Sequence, residues 1–326
     1  MSELSRLDRL RRFFTRMPLP AGVTVGIGDD AAVLAPDSAS LVWTVDAAVE
    51  GVHFRRDWMS LEDIGFRSLM AAASDLAAMG ARPRGVLSAL VLPADFGDEA
   101  LDRLMRGQAE AAAELGTAVV GGNLARGIEL SITTTLLGSA VKPLLRAGAM
   151  PNDVVVVAGP LGLAAAGIEA LRNGRGGGAV ERAIAVYRRP RALIEESVAA
   201  APRARAAIDL SDGLALDASR LAVESGVGIM LQAESVLAAG GPELLAAAAA
   251  LSLDPLDLAL YGGDDYAVLM TFGPGEVAPP FTAIGTCIAG NGIVLRRANG
   301  ALSGVDPRGY DHFQHATAPS PQERGQ

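Results

Sequence analysis

The 326-residue sequence contains very little of the two residue types that most often hold zinc or act as nucleophile and base. It has one cysteine, Cys287, and three histidines, His53, His312 and His315. A disulfide within the chain is therefore impossible. A zinc site or a catalytic triad is disfavoured, because each needs several such side chains together. The chemistry of this chain must depend on other residue types.

Positive charge is also scarce, and lysine is nearly absent. The chain has 28 Lys and Arg residues against 37 Asp and Glu residues, a formal net charge of −9, and Lys142 is its only lysine. This balance argues against a nucleic-acid partner. No P-loop is present, since the segment Gly159-Pro-Leu-Gly162 follows a predicted strand but lacks the lysine that the motif requires. The motifs of protein kinases are absent as well.

The sequence has no uninterrupted apolar run of the ~18 residues that a membrane span requires. Residues 1–17 lack the apolar core of a secretion signal, and the spacing of Leu4, Leu7, Leu10 and Phe14 predicts an amphipathic helix instead. Half of the residues are hydrophobic and one fifth are charged, which excludes disorder of the whole chain. Together these features predict a folded cytoplasmic protein without a membrane partner.

Strand-like and helix-like segments alternate along the chain, which indicates an α/β or α+β fold. The clearest helix is predicted over residues 62–79, with apolar residues at helical spacing, and Gly80 and Pro83 end it. Other helices are predicted at 98–115, 213–224 and 242–251. Strands are predicted at 40–45, 86–92, 117–120, 128–138, 154–158, 206–210 and 266–272.

The chain is too long for one compact core and suits two domains of ordinary size. A polar turn at 146–153, containing Gly148 and Pro151, is the predicted boundary. The expected division is an N-terminal α/β domain over 1–145 and a C-terminal α/β domain over 146–315. The remaining residues, 316–326, are polar and include two prolines, and they are predicted to be disordered.

What the sequence does contain is acidic residues beside glycines or near the ends of predicted elements. Hard divalent cations prefer oxygen ligands, and Mg²⁺ usually takes one or two carboxylates together with phosphate oxygens and water. Glycine allows the backbone to approach a ligand closely. Several dispersed carboxylates therefore fit Mg²⁺ ions that bind a polyphosphate. The segments are Gly26-Ile-Gly-Asp-Asp30, Thr44-Val-Asp46, Ser74-Asp75, Gly121-Gly-Asn123, Asp209-Leu-Ser-Asp212-Gly213 and Gly262-Gly-Asp-Asp265.

Each acidic position also has an ordinary structural explanation. Asp75 lies in the last turns of a predicted helix, where its charge opposes the helix dipole; a bound cation or solvent would offset this. Asp46 and Asp209 are predicted to end apolar strands, and acids at such positions commonly cap turns. Ser211 or Asp212 is a natural cap for the helix that follows. Taken one at a time, the positions leave metal binding and local capping both open.

Taken together, the segments resemble the thiamine-monophosphate kinase family, within the superfamily of aminoimidazole ribonucleotide synthetase. The resemblance extends from about Gly26 to Phe313. A single glycine–acid motif is weak evidence, whereas seven in the same order are specific. The seven are Gly26-Ile-Gly-Asp-Asp-Ala-Ala-Val-Leu34, Val45-Asp-Ala-Ala-Val-Glu-Gly-Val-His-Phe54, Ser74-Asp-Leu-Ala-Ala-Met-Gly-Ala-Arg-Pro83, Arg146-Ala-Gly-Ala, Ile208-Asp-Leu-Ser-Asp-Gly213, Gly262-Gly-Asp-Asp-Tyr266 and Gly309-Tyr-Asp-His-Phe313.

The resemblance implies a two-domain aminoimidazole ribonucleotide synthetase-like α/β (α+β) fold, with the N-terminal sheets pairing in a homodimer. It implies a reaction in which ATP and thiamine monophosphate give thiamine diphosphate and ADP, with several Mg²⁺ ions bound. The acceptor is already an ionised phosphate, so no general base is expected. Catalysis would come from positioning and charge neutralisation.

By motif position, the resemblance also implies three groups of contacts, with Arg146 binding phosphate as a charge-assisted fork. The implied metal ligands are Asp30, Thr44, Asp46, Asp75, Asn123, Asp209 and Asp212. The implied ATP contacts are Gly122, Asn123, Arg146 and Ser211. The implied contacts to thiamine monophosphate are His53 and Asp264.

Five positions depart from the family pattern. Asn123 stands for an aspartate, Val45 and Ala47 for threonines, Asp264 for a glutamate, and Pro307 lies near an expected aromatic residue. Two alternatives therefore stay open. One is a related ATP-using enzyme with another small phosphorylated substrate. The other is a non-catalytic protein that binds nucleotide or thiamine phosphate.

Overall fold

The structure, a computed structural model, describes residues 3–25, 27, 31–36, 38–277 and 280–310. The helices are α1 (Glu3–Phe14), α2 (Leu61–Ala78), α3 (Asp98–Glu114), α4 (Leu163–Arg172), α5 (Glu181–Arg188), α6 (Ile194–Ala200), α7 (Leu214–Ser225), α8 (Ala233–Leu251) and α9 (Pro255–Tyr261), with a 3₁₀ turn at Gly178–Val180. The strands are β1 (Val23–Val25), β2 (Val33–Leu34), β3 (Ser40–Val49), β4 (Arg82–Leu92), β5 (Val119–Arg126), β6 (Ser131–Ala140), β7 (Val154–Ala158), β8 (Ala204–Leu210), β9 (Gly228–Gln232), β10 (Ala267–Phe272), β11 (Thr282–Ile288), β12 (Ile293–Arg296) and β13 (Leu302–Val305).

Some sequence predictions fall on residues outside this description. They concern the first glycine–acid motif, with Asp30, and the segment from Asp311 onward, which includes His312 and His315. The disorder predicted for 316–326 also stays a prediction.

Two β-sheets form the framework of the molecule. The first has the strand order β3–β6–β4–β5, with β4 and β5 parallel and the other neighbours antiparallel. The second has the order β13–β12–β9–β11–β7–β10–β8, with β12 and β9 parallel. The predicted α/β (α+β) class is confirmed. The chain passes from the first sheet to the second between residues 140 and 154, and the division into domains at residue 146 stays a prediction.

Helix α2 lies between the two sheets. Its N-terminus is capped by Ser60, whose hydroxyl accepts a hydrogen bond from the Asp63 backbone, and Gly80 adopts the left-handed conformation just after its end. The helix packs on the first sheet together with α3, and it also contacts β8 and β10 of the second sheet. A single hydrophobic cluster therefore spans both sheets. The predicted helix over 62–79 is confirmed within one residue at each end.

Strand β3 is longer than the sequence predicts. It pairs with β6 over its whole length, from Ser40 opposite Ala140 to Val49 opposite Ser131. The prediction that Asp46 ends this strand is wrong, because the ladder of backbone hydrogen bonds continues past it. Side chains alternate across a strand, so Asp46 and Thr44 share the face toward α2.

Several elements after residue 154 were not predicted from the sequence, namely helices α5, α6 and α9 and strands β9, β11, β12 and β13 of the second sheet. The predicted helix at 242–251 is the second part of α8, which is broken at Gly241 (φ 74°) before Pro242. By length and composition, α8 is the one helix among the described residues that could cross a membrane. Its break at Gly241 divides it into two shorter helical pieces.

Candidate active site

A cleft of about 670 Å³ lies between elements of the two sheets. Strand β3 and helix α2 contribute to it from one side, and β8, α4, α9 and the 262–266 loop contribute from the other. The predicted site residues that line the cleft are Asp46, His53, Asp75, Asp209, Ser211, Asp212 and Asp264. Residues from distant parts of the chain therefore meet in one place.

Asp75 lies near the C-terminal end of α2 and faces β3. The Thr44 hydroxyl donates a hydrogen bond to Asp75 Oδ2. Burial raises the pKa of the Asp75 carboxyl, and the nearby Asp46 charge raises it further, whereas Thr44 and Arg146 act in the opposite direction. Small residues such as Ala71 line the cleft beside it, leaving space for a ligand.

Asp209 approaches Asp75 from strand β8 of the other sheet. It is only 7% exposed, and its Oδ2 lies 2.9 Å from the Ser74 hydroxyl oxygen. Burial raises the pKa of Asp209 to about 7, and the Asp75 charge contributes to the increase. A carboxylate from helix α2 and one from strand β8 are thus held close together, an arrangement that a bound cation would stabilise.

Asp212 follows β8 and is held by residues of α7. Arg220 Nη1 lies 2.6 Å from Asp212 Oδ2 and 2.7 Å from Asp217 Oδ1. The buried Asp217 carboxylate accepts hydrogen bonds from the backbone N–H groups of Asp212 (3.0 Å) and Gly213 (3.2 Å). The prediction that Ser211 or Asp212 caps this helix is wrong, because the N-cap is Gly213, which has no capping side chain.

His53 lies at another part of the cleft wall. Its Nδ1 accepts a hydrogen bond of 3.1 Å from the Val49 backbone N–H, so a neutral imidazole carries its proton on Nε2. The Tyr187 hydroxyl donates to the His53 carbonyl at 3.4 Å. The first contact orients the imidazole ring and the second holds the backbone of His53 against Tyr187.

Asp264 stands in the loop between α9 and β10 in a left-handed conformation (φ 67°), which is uncommon for a non-glycine residue. Its carboxylate oxygen Oδ1 lies 2.6 Å from Arg67 Nη2 and accepts a hydrogen bond of 2.9 Å from the Tyr266 hydroxyl. Its backbone N–H donates to the Ser211 carbonyl at 2.8 Å. The loop and the end of β8 are therefore connected.

Four predicted site residues do not line this cleft. Thr44 lies next to the cleft and donates a hydrogen bond to Asp75, which lines it. Arg146 is exposed, but it is close enough for its charge to oppose the rise in the pKa of Asp75 and Asp209. Gly122 and Asn123 instead line a second cavity, of about 780 Å³, beside β5. Asn123 pairs with Ala89 on the face of the first sheet that is turned away from α2, so the sheet separates it from Asp75.

The sequence did not point to several residues at the cleft. Arg67, Asp217 and Tyr187 contact predicted site residues, and Arg172 and Arg308 supply positive charge along the cleft. One signal was available for Arg67, because it is a charged residue in the middle of a predicted helix that is mostly apolar. Tyr187 and Arg308 carried no local signal.

The carboxylate oxygens in this cleft suit Mg²⁺ better than a metal ion whose ligands must all come from the protein. Among the described residues, no three His, Cys, Asp or Glu side chains converge tightly enough to hold a metal on their own. The carboxylates instead approach in pairs, since the Asp46 charge raises the pKa of Asp75 and the Asp75 charge raises the pKa of Asp209. Mg²⁺ usually takes one or two carboxylates and completes its shell with substrate phosphates and water.

Comparison with known proteins gives consistent results. The family model described as AIR synthase related protein, N-terminal domain, matches residues 28–140. The thiamine-monophosphate kinase of Mycobacterium tuberculosis is 34% identical over 99% of this chain and 94% of its own length. The solved structure of AaThiL complexed with AMPPCP and TMP superposes with a TM-score of 0.79 at 30% identity, covering 95% of this chain and 97% of that one.

A second solved structure, the thiamine-monophosphate kinase of Stenotrophomonas maltophilia, has a TM-score of 0.77 at 30% identity, covering 90% of this chain and 96% of that one. The aminoimidazole ribonucleotide synthetase-like fold is thereby confirmed. Near-complete coverage at this identity shows that the chain belongs to the thiamine-monophosphate kinase family.

Proposed function

We propose that this protein transfers the γ-phosphoryl group of ATP to thiamine monophosphate, giving thiamine diphosphate and ADP. The observation that carries the proposal is the cleft, which gathers His53 and Asp264 with Asp46, Asp75 and Asp209. The family supports the same reaction, since one relative was solved with AMPPCP and TMP.

The residues of the cleft act by positioning and charge. The acceptor phosphate is already ionised, so its oxygen can attack without a base, and the main obstacle is repulsion between two anionic groups. Mg²⁺, bound between these carboxylates and the phosphates, would neutralise that charge. His53 offers an Nε2–H donor to the substrate, and Arg146 adds positive charge beside Asp75 and Asp209.

The five residues that depart from the family pattern differ in how close they lie to the cleft, and so in how much they affect this proposal. Val45 and Ala47 flank Asp46 on β3, and Val45 also lines the cleft whereas Ala47 does not, so the hydroxyl missing at Val45 bears directly on this site. Asn123 lies beside the second cavity and is not needed for the Asp46, Asp75 and Asp209 group. The roles of Gly122 and Asn123 in binding ATP and metal remain predictions. Asp264 is held firmly despite its shorter side chain.

We also propose that the protein is a cytoplasmic homodimer. The face of the first sheet opposite α2 exposes apolar side chains, with Trp43 71%, Val45 62% and Leu41 60% accessible. A contiguous apolar surface on a sheet is typical of a protein–protein interface. Pairing of two such faces would cover these side chains in both chains.

The test is ADP release by the purified protein with ATP, Mg²⁺ and thiamine monophosphate, with the product identified by mass. We expect turnover that depends on both substrates. Asp75→Asn should lower it by on the order of a hundredfold or more while the far-ultraviolet circular dichroism stays unchanged, because one charge that holds the cation is lost. Asp95→Asn, an exposed acid outside the cleft, serves as the matched control.

Each contrary result has a definite meaning. A wild-type rate from Asp75→Asn would remove Asp75 from the site. Saturable ATP binding without thiamine monophosphate-dependent turnover in the wild-type protein would contradict the proposed reaction. A panel of other phosphorylated acceptors would then separate a different substrate from a non-catalytic binding protein.

A further inference from the structure

Arg67 is a buried cation in the middle of helix α2. It is 4% exposed and does not line the cleft. Its guanidinium carbon lies 4.5 Å from the centroid of the Tyr187 ring and 5.4 Å from that of Tyr266. Its Nη1 donates to the Tyr187 carbonyl, and its Nη2 lies 2.6 Å from Asp264 Oδ1. The three partners of Arg67 all line the cleft.

This arrangement places Arg67 behind the cleft wall as its common support. Burial of a guanidinium is costly unless it is paired, and removal of one partner leaves the other charge buried and uncompensated. Stacking between two tyrosine rings adds a favourable cation–π contact and restricts the plane of the guanidinium. The position of Arg67 therefore determines where its partners can lie.

The conformation of Asp264 depends on its contact with Arg67 more than that of an ordinary surface aspartate would. Its left-handed backbone (φ 67°) is unfavourable for a non-glycine residue and has to be maintained by contacts around it. Both side-chain contacts, from Arg67 and from the Tyr266 hydroxyl, use Oδ1. Among the described residues, Oδ2 has no polar partner. One oxygen is therefore anchored while the other stays available to a ligand.

Arg67 is also connected to His53, through Tyr187. Tyr187 is held by Arg67 through both its ring and its carbonyl, and its hydroxyl donates to the His53 carbonyl at 3.4 Å. Both residues that the proposed function assigns to the acceptor, Asp264 and His53, are thus connected to one buried side chain. Among the described residues, Arg67 forms no ion pair or stacking contact with Asp75 or Asp209.

We propose that Arg67 is a positioning residue that sets the affinity of the cleft for the phosphorylated acceptor. It holds Asp264 directly and His53 through Tyr187, and it touches no substrate itself. This inference rests on the proposed function, in which thiamine monophosphate occupies that part of the cleft. It predicts that changes at Arg67 weaken acceptor binding selectively and leave ATP binding nearly unaffected.

The experiment measures KM for thiamine monophosphate and KM for ATP separately in Arg67→Met, Arg67→Lys and the double variant Arg67→Met/Asp264→Asn. For Arg67→Met we expect KM for thiamine monophosphate to rise by about tenfold or more, because loss of positioning at a reacting group is costly. KM for ATP should stay within about twofold, the scatter expected for an independent site. Arg67→Lys keeps the charge and should recover part of the loss.

The double variant shows whether the two residues act as a unit. If Asp264 works through its pairing with Arg67, the double variant should be no worse than Arg67→Met, since the effects of coupled residues do not add. The matched control is Arg189→Met. Arg189 also stacks on an aromatic ring, 4.0 Å from the Phe66 centroid, and pairs with Glu110, but it lies outside the cleft. Its KM values should not change.

Three results would overturn the inference. The first is a folded Arg67→Met protein with an unchanged KM for thiamine monophosphate. The second is an equal rise in both KM values, which indicates a general structural role. The third is an Arg189→Met protein with the same selective loss. If Arg67→Met does not fold, Arg67→Lys, which keeps the buried charge but not the planar contacts, is judged by the same criteria.

Failure of the proposed function can be recognised independently by calorimetry with thiamine monophosphate. If the wild-type protein binds this ligand without turning it over, the kinase proposal fails. The Arg67 inference then stands if Arg67→Met weakens the binding by about tenfold and falls if it does not. If the wild-type protein does not bind the ligand at all, both proposals are wrong.

Discussion

Asp209 shows how a functional side chain can reduce the stability of the protein that contains it. Its carboxylate is 7% exposed, it lies 2.9 Å from the Ser74 hydroxyl oxygen, and the nearby Asp75 charge opposes its ionisation. Burial raises its pKa from 3.8 to about 7. Without a bound cation, the ionised form is unfavourable in the folded protein.

This shift predicts a pH-dependent stability of the metal-free protein. The unfolded carboxyl ionises near pH 4, whereas the folded one stays protonated until about pH 7, so the native state binds an extra proton between these values. The free energy of unfolding should therefore decrease as pH rises through this window, by on the order of 4 kcal/mol. Asp209→Asn should remove this decrease while abolishing turnover.

Urea denaturation of the metal-free protein at about pH 4.5 and about pH 8 would check this expectation. We expect Asp209→Asn to raise the free energy of unfolding at the higher pH and to change it little at the lower one. Asp95→Asn, whose carboxyl is exposed, is the control and should show no such difference. An equal effect of Asp209→Asn at both pH values would mean that burial does not perturb this group.

At the scale of elements, the contact between α2 and α3 fixes the helix that carries both Arg67 and Asp75. The two helices are close enough that a methyl group on Gly65 would overlap the Leu104 carbonyl, and one on Gly107 would overlap the Glu62 carbonyl. Backbone atoms cannot rotate away as a side chain can. Glycine is therefore required at both positions for this spacing.

Gly107→Ala should consequently destabilise the protein, even though alanine is the better helix former by ~1 kcal/mol. We expect a net loss of about 2 kcal/mol or more in the free energy of unfolding, because the helices must separate to admit the methyl group. Gly176→Ala, in a loop where a Cβ would meet open space, is the control and should not lose stability. A Gly107→Ala protein as stable as the wild type would show that the helices can move apart freely.

At the scale of the whole molecule, the first sheet has one covered face and one open face. Helices α2 and α3 pack on the covered face, which is turned toward the second sheet and the cleft. The open face carries Trp43, Val45 and Leu41, all more than half exposed. Asp46 of the cleft and Trp43 of the proposed dimer interface therefore lie on opposite faces of β3.

If the open faces pair, Trp43→Glu should convert the dimer to a monomer, because a buried unpaired carboxylate opposes association. Sedimentation equilibrium of the two proteins would check this. Leu302→Glu is the control, since Leu302 is similarly exposed (63%) but lies on β13 at the edge of the other sheet. A wild-type protein that sediments as a monomer, or a Trp43→Glu protein that remains a dimer, would contradict pairing through this face.

Predictions from local sequence succeeded where one repeating pattern extended through a whole element. The apolar residues at helical spacing located α2, and the run of four valines located β7 without error. Short strands such as β12 and β13 were missed, because four residues contain too little alternation to be recognised. Strand β3 was cut short at Asp46, since a charged residue interrupts the apolar pattern while its backbone pairing continues.

The sequence by itself determined the chemical character of this protein. The shortage of cysteine and histidine, together with carboxylates in glycine-rich motifs, was enough to predict Mg²⁺ ions that bind a polyphosphate, and the resemblance of seven motifs in order indicated the family. These features are local, because a residue type and its immediate neighbours are visible in the chain. The carboxylates at Asp46, Asp75, Asp209 and Asp212 could be identified for this reason.

Only the tertiary structure decided which of these residues meet. Arg67 and Tyr187 are 120 positions apart, and no local pattern indicates that one holds the other. Asn123 and Asp75 belong to motifs of the same kind, yet the alternation of side chains across a strand places them on opposite sides of the first sheet. Burial and strand pairing act between distant residues, so these contacts exist only once the chain is folded.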